Sequence, residues 1–141
     1  MRKIGVTVHL VDDEAAPYQL EIEHGDVVIL DHVTKMEDAD DALLEAISAM
    51  KEAYEPGKVP EVLSAKEYEF EYKYDIHALL SKFSGILTQS IMARISGMNK
   101  SLLSQYLSTT EPRILSEKQA RRIEDSLHEF GRELQRVKLE V

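Results

Sequence analysis

Three groups of side chains in this 141-residue chain are of types and spacings that do chemistry. Asp12, Asp31 and the Asp40-Asp41 pair are carboxylates of the kind a metal-dependent nuclease gathers around its ions. Ser48-Ala-Met-Lys51 repeats the Ser-x-x-Lys spacing in which a lysine amine activates a serine hydroxyl. Residues 96–108 carry Asn99, Lys100, Ser101, Ser104, Gln105 and Ser108, whose amides and hydroxyls match base-pair edges and whose ammonium group matches phosphate. The first two groups have simpler readings. Asp12 sits in a polar loop, and Asp40-Asp41 open a helix whose N-terminus favours acids. Ser48 and Lys51 lie on that helix without the companion motifs of a serine nucleophile. Histidines 9, 24, 32, 77 and 128 show no metal spacing on a shared face. The chain therefore reads as neither an enzyme nor a metal or cofactor binder, and the polar run is what remains.

That run has the spacing of a helix-turn-helix. Such a motif needs a small residue where its helices cross, a glycine at the turn, and apolar anchors in its second helix. Counting from Gln89 as the first position, these are Ala93 at the fifth, Gly97 at the ninth, Leu103 at the fifteenth and Tyr106 at the eighteenth. The outward face of the second helix is then polar and free of acids, as groove contact requires. Gln89 at the start of the first helix, with Lys100, Arg121 and Arg122, is the expected set of phosphate contacts. Leu102 is out of place on that face, and Ser96 stands where an apolar residue is usual.

The rest of the chain must position this motif. "KIGVTVHL" and "YQLEIE" alternate apolar and polar residues as half-buried strands do, and His24-Gly25 turns into a third strand, "DVVIL". A helix capped by Asp38 follows, with Ala39, Leu43, Ala46, Ile47, Met50 and Tyr54 on one face. Pro56, Gly57 and Pro60 mark residues to 66 as a linker. A fourth strand at 67–74 carries Tyr68, Phe70, Tyr72 and Tyr74 on one face. Helices are expected over 75–83, 88–96, 100–108 and 116–130, the last capped by Ser116, with a terminal strand through Val137, Leu139 and Val141. The expected division is an acidic partner-binding module over 1–66, its fourth strand at 67–74, and a DNA-binding module over 75–141.

Charge follows this division. The chain has 17 Lys+Arg and 26 Asp+Glu, net −9. Residues 1–66 hold 6 and 15 of these, so the acidity is all in the first module, while residues 76–123 carry a local +5. With a Debye length of about 8 Å at physiological salt, an acidic module tethered tens of ångströms away leaves a basic one able to meet DNA. There is no cysteine, and no N-terminal apolar run resembles a signal peptide or membrane span, which points to the cytoplasm and to no membrane partner.

Residues 75–134, and above all "ARISGMNKSLLSQYLS" and "ARRIEDSLHEFGREL", resemble the C-terminal DNA-binding part of HicB-like antitoxins. The resemblance implies an α+β protein in which a β-β-β-α-β partial RNase H-like module covers a small RNA-cleaving HicA-like toxin and a helix-turn-helix module represses the antitoxin's own operon. Asp12, Asp13, Glu14 and Asp31 are the toxin-binding residues it implies. Operator DNA, the toxin and a second copy, as a homodimer or higher even-numbered oligomer, are the implied partners. An acidic module suits a toxin that must present positive charge to RNA. The alternative is a stand-alone helix-turn-helix repressor whose first module senses a small ligand.

Overall fold

Alternating apolar residues build the first three strands, β1 (Arg2–Leu10), β2 (Tyr18–His24) and β3 (Val27–Val33), into an antiparallel meander. Gly25, with φ of 62°, makes the tight turn from β2 to β3 in the left-handed region where a Cβ is disfavoured. A helix, α1 (Ala39–Glu52), and a pinned connection lead to β4 (Tyr68–Tyr74), which pairs with β1 in parallel and completes the order β3-β2-β1-β4. Among the described residues four more helices follow β4: α2 (Ile76–Lys82), α3 (Gln89–Ser96), α4 (Lys100–Leu107) and α5 (Glu117–Gln135). The chain is thus mixed α+β. This computed structural model describes residues 1–108, 110 and 113–141, and the contacts divide it into two units, Met1–Lys82 and Phe83–Val141.

In the first unit the register gathers most apolar strand positions on one face, Val28 and Leu30 of β3 being exposed on the other. Val8 stands opposite Leu20, Ile22 opposite Ile29, and Ile4 opposite Phe70, so the period-two pattern of each strand falls on a common core. Leu43 and Ile47 of α1 cover this face and are buried with it. The aromatic side of β4 joins them, half-buried, and the Tyr72 hydroxyl donates to the Asp40 carboxylate on α1. The opposite face of the sheet is open, carrying Lys3, Glu23, Glu69 and Glu71.

Four expectations change. Asp38 precedes α1 but its side chain caps nothing, because a short 3-10 turn over Met36–Asp38 already holds it in helical backbone geometry. The stretch expected as a linker is packed: Val62 and Leu63 are buried in the core, and the Tyr68 hydroxyl donates to the Val62 carbonyl at 2.8 Å. Proline and glycine there shape a crossover that β4 needs in order to lie parallel to β1. Third, α2, expected with the helices that follow it, belongs to the first unit. Ala78 is buried in the sheet's core, the Asp75 carboxylate caps the helix by accepting from the Ala78 N–H at 2.7 Å, and Ser81 meets the Tyr18 hydroxyl at 3.0 Å.

The fourth correction concerns the C-terminus. Residues 137–141 form no strand; α5 runs five residues beyond the expected end, through Gly131, and the Val137 N–H still bonds the Leu134 carbonyl at 3.1 Å. A three-residue alternation offers a strand nothing without a neighbour to hydrogen-bond, whereas the preceding helix already satisfies its own backbone.

Candidate nucleic-acid interface

The second unit is built around the two short helices α3 and α4. Thr88 caps α3, its hydroxyl accepting from the Ile91 N–H at 3.2 Å, and Asn99 caps α4 by accepting from the Ser101 N–H at 2.7 Å. Between them Gly97 takes φ of 68° and ends α3 in the left-handed conformation. The positions expected to anchor the pair are inside: Ala93, Leu103 and Tyr106 are all buried, Leu103 completely, together with Met92, Met98 and Ile123. Ser96, the unusual polar residue, is also buried and satisfied locally. Its hydroxyl donates to the Met92 carbonyl at 2.5 Å and accepts from the Met98 N–H at 3.3 Å, so it ties the end of α3 to the turn.

Anchoring α4 by Leu103 and Tyr106 leaves Lys100, Ser101, Ser104 and Gln105 exposed on its other side. Gln89, at the first turn of α3, reaches across and donates its amide N–H to the Ser104 hydroxyl at 3.1 Å. Ser108, just past α4, is half-buried and shares a 3.3 Å hydrogen bond with Thr110, which draws it out of the exposed group. Leu102 is half-buried, turned partly away from the polar face. Asn99 lies at the N-terminal end of that face, with its carbonyl oxygen committed to the cap.

The two arginines expected on phosphate are differently placed. Arg122 turns back onto the end of α3, donating from Nε to the Ser96 carbonyl at 3.0 Å and from Nη2 to the Gly97 carbonyl at 2.9 Å. It satisfies carbonyls that the helix end leaves without partners, which makes it a structural residue. Arg121 is exposed but flanked by Glu117 at 3.8 Å and Glu124 at 3.5 Å on its own helix, so part of its charge is offset before any polyanion arrives. Exposed Lys100 has no such carboxylate among the described residues.

One participant escaped the sequence. Arg113 donates from Nη1 to the Gln105 side-chain carbonyl at 3.1 Å, its backbone N–H bonds the Gln105 main-chain carbonyl at 3.1 Å, and its guanidinium lies 5.8 Å from the Tyr106 ring centroid. A loop residue with no periodic relation to α4 gives no spacing signal; only the return of the chain after α4 brings it there. Its consequence is chemical. An engaged carbonyl biases Gln105 toward acting as a donor through its amide N–H groups.

In the first unit, Asp12, Asp13 and Glu14 are exposed in the β1–β2 loop, where Asp13 accepts from the Ala15 N–H at 3.0 Å. Asp31 is half-buried on β3, opposite Leu20, and accepts from the neighbouring His32 N–H at 2.8 Å. The register places the loop and the final residues of β3 at the same end of the sheet. Among the described residues, no three of His, Asp and Glu come together where they would hold a metal ion. Ser48 and Lys51 both face solvent on α1. No described helix is long and apolar enough to cross a membrane. No protein-family model, no curated protein and no solved structure matches the chain.

Proposed function

We propose that the chain is a DNA-binding repressor of the HicB-like antitoxin kind, which binds its own operator through α3 and α4 and holds an RNA-cleaving HicA-like toxin on its acidic first unit. The observation that carries the reading is α4 itself. Its apolar side is fixed by Leu103 and Tyr106, its outer side offers Lys100, Ser101, Ser104 and Gln105, and no acid interrupts that side. Two capped helices joined through a left-handed glycine, with the second helix polar outward, is the arrangement by which helix-turn-helix proteins enter the major groove.

For the first unit, a strand order β3-β2-β1-β4 with β4 parallel to β1 is what a partial RNase H-like module would have, and it supports that reading. The unit holds 8 Lys+Arg against 19 Asp+Glu, net −11, a surface suited to a basic partner. A small-ligand sensor is supported less. The groove bounded by Met1, Arg2, Glu61 and Ser64–Glu67 is open and partly charged, unlike the enclosed apolar cavities that hold small molecules.

Two experiments test the proposal. Gel shift on the DNA upstream of the protein's own gene should show a sequence-specific complex that competitor DNA does not displace. Co-expression with the product of the adjoining reading frame should relieve that product's toxicity and yield a co-purifying pair. A chain that binds no DNA in the first experiment ends the repressor reading, and an adjoining product that is neither toxic nor retained ends the antitoxin reading.

A further inference from the structure

We infer that the C-terminal half of α5 is the docking face for a second copy of this chain, helix against helix. The apolar residues Ala120, Ile123, Leu127, Phe130 and Leu134 of α5 are spaced by three and four residues in strict alternation, and Val137, just past the helix end, continues the spacing. That is the seam by which two helices pack at a shallow angle. The first part of the seam is used within the chain: Ile123 is 5% exposed, and α5 packs there on α3. The rest emerges progressively, with Phe130 39%, Leu134 55% and Val137 61% exposed. A helix of 19 residues is about 28 Å long, more than the small core beneath it can cover.

Two further observations choose the occupant. The rim of the exposed seam is charge-balanced, Glu129 and Glu133 against Arg132 and the C-cap residue Arg136. A face that meets its own copy needs acids and bases in equal number, since a block of one sign would repel itself; a partner recruited by charge would find no net charge to read. Gly131 is the other. It lies inside the helix beside Phe130, where glycine costs about 1 kcal/mol against alanine, and a Cβ there would meet nothing within 4 Å. No described residue crowds the position so as to require the glycine, while a second helix crossing beside Phe130 gains a closer approach from it. The inference rests on the DNA-binding reading for its purpose, a second α4 for the other half-site, and on α5 alone for its existence.

Sedimentation velocity without DNA tests it. The wild-type chain should be a reversible dimer, Leu134→Glu should weaken dimerisation at least about 100-fold because each subunit would then bury an unpaired carboxylate, and Gln135→Glu, off the seam, should leave it intact. Because the chain has no cysteine, Leu134→Cys should form a disulfide-linked dimer on mild oxidation, whereas Leu30→Cys on the open face of β3 should not. A monomeric wild type, a Leu134→Glu dimer of undiminished strength, or cross-linking through Leu30→Cys and not Leu134→Cys would each overturn the inference. The cysteine arm decides if Leu134→Glu does not fold. Gel shift on the same proteins separates the two readings: a dimer that binds no DNA keeps this inference and ends the repressor reading.

Discussion

At the scale of single residues, Gln105 and Arg113 act as a pair. A free glutamine bonds adenine bidentately, through one donor and one acceptor; Gln105 has its acceptor held by Arg113 at 3.1 Å and offers donors, which suit the N7 and O6 acceptors of guanine. Gln105→Ala should cost about 1–3 kcal/mol on the specific site and almost nothing on unrelated DNA, read by fluorescence anisotropy with and without competitor. Arg113→Ala should shift preference at the contacted base from guanine toward adenine, and an unchanged preference would show that the pair opens on binding. Lys100 and Arg122 separate charge from structure. Lys100→Ala should lower the slope of log affinity against log salt by roughly one with the melting temperature unmoved. Arg122→Ala should instead destabilise the second unit by about 1–3 kcal/mol, because it strips hydrogen bonds from the Ser96 and Gly97 carbonyls. Calorimetry and a salt titration on the two variants distinguish them.

At the scale of elements, the turn between α3 and α4 depends on one backbone conformation. Gly97→Ala would force a Cβ into φ of 68° and bring it 3.3 Å from Nη2 of Arg122. The strain alone is about 1–2 kcal/mol, and the displaced arginine adds the loss of its carbonyl bonds. Thermal melting should show the second unit weakened while the first is unaffected. In the first unit, α1 and β4 are joined through Tyr72 and Asp40, where burial first, and then the hydrogen bond to Asp40, raise the phenol's pKa well above its usual value. A raised pKa in the folded state means the stabilisation is whole below the unfolded phenol's pKa of about 10 and declines as pH rises beyond it. Chemical denaturation from pH 8 to 11 should therefore show a steeper alkaline decline for the wild type than for Tyr72→Phe.

At the scale of the whole molecule, the proposed binding of a net −9 protein to a polyanion rests on segregated charge, −11 on Met1–Lys82 and +2 on Phe83–Val141. The Debye length is about 30 Å at 0.01 M salt and 8 Å at 0.15 M, so on the proposed reading repulsion between the acidic unit and DNA should weaken as salt rises. A fragment of residues 83–141 should bind nonspecific DNA several-fold more tightly than the full chain at 0.01 M, with the difference shrinking toward 0.15 M. A constant ratio would mean the first unit acts by contact rather than by field. The sequence by itself determined what depends on neighbours along the chain: three alternating strands, the amphipathic stripe of α1, the cap at Ser116, and the glycine turn at 97, all of which local periodicity and backbone sterics dictate, whereas the cap at Asn99 came from the structure. It also showed which side of α4 is polar. Only the tertiary structure decided that β4 runs parallel beside β1, that α2 packs with the sheet, and that the stretch before β4 is core. It alone turned Arg122 inward, set Arg113 against Gln105 and left the end of α5 uncovered. Most of these depend on residues far apart in the chain, or on a return of the chain that has no period, and such contacts leave no mark on the spacing of either partner.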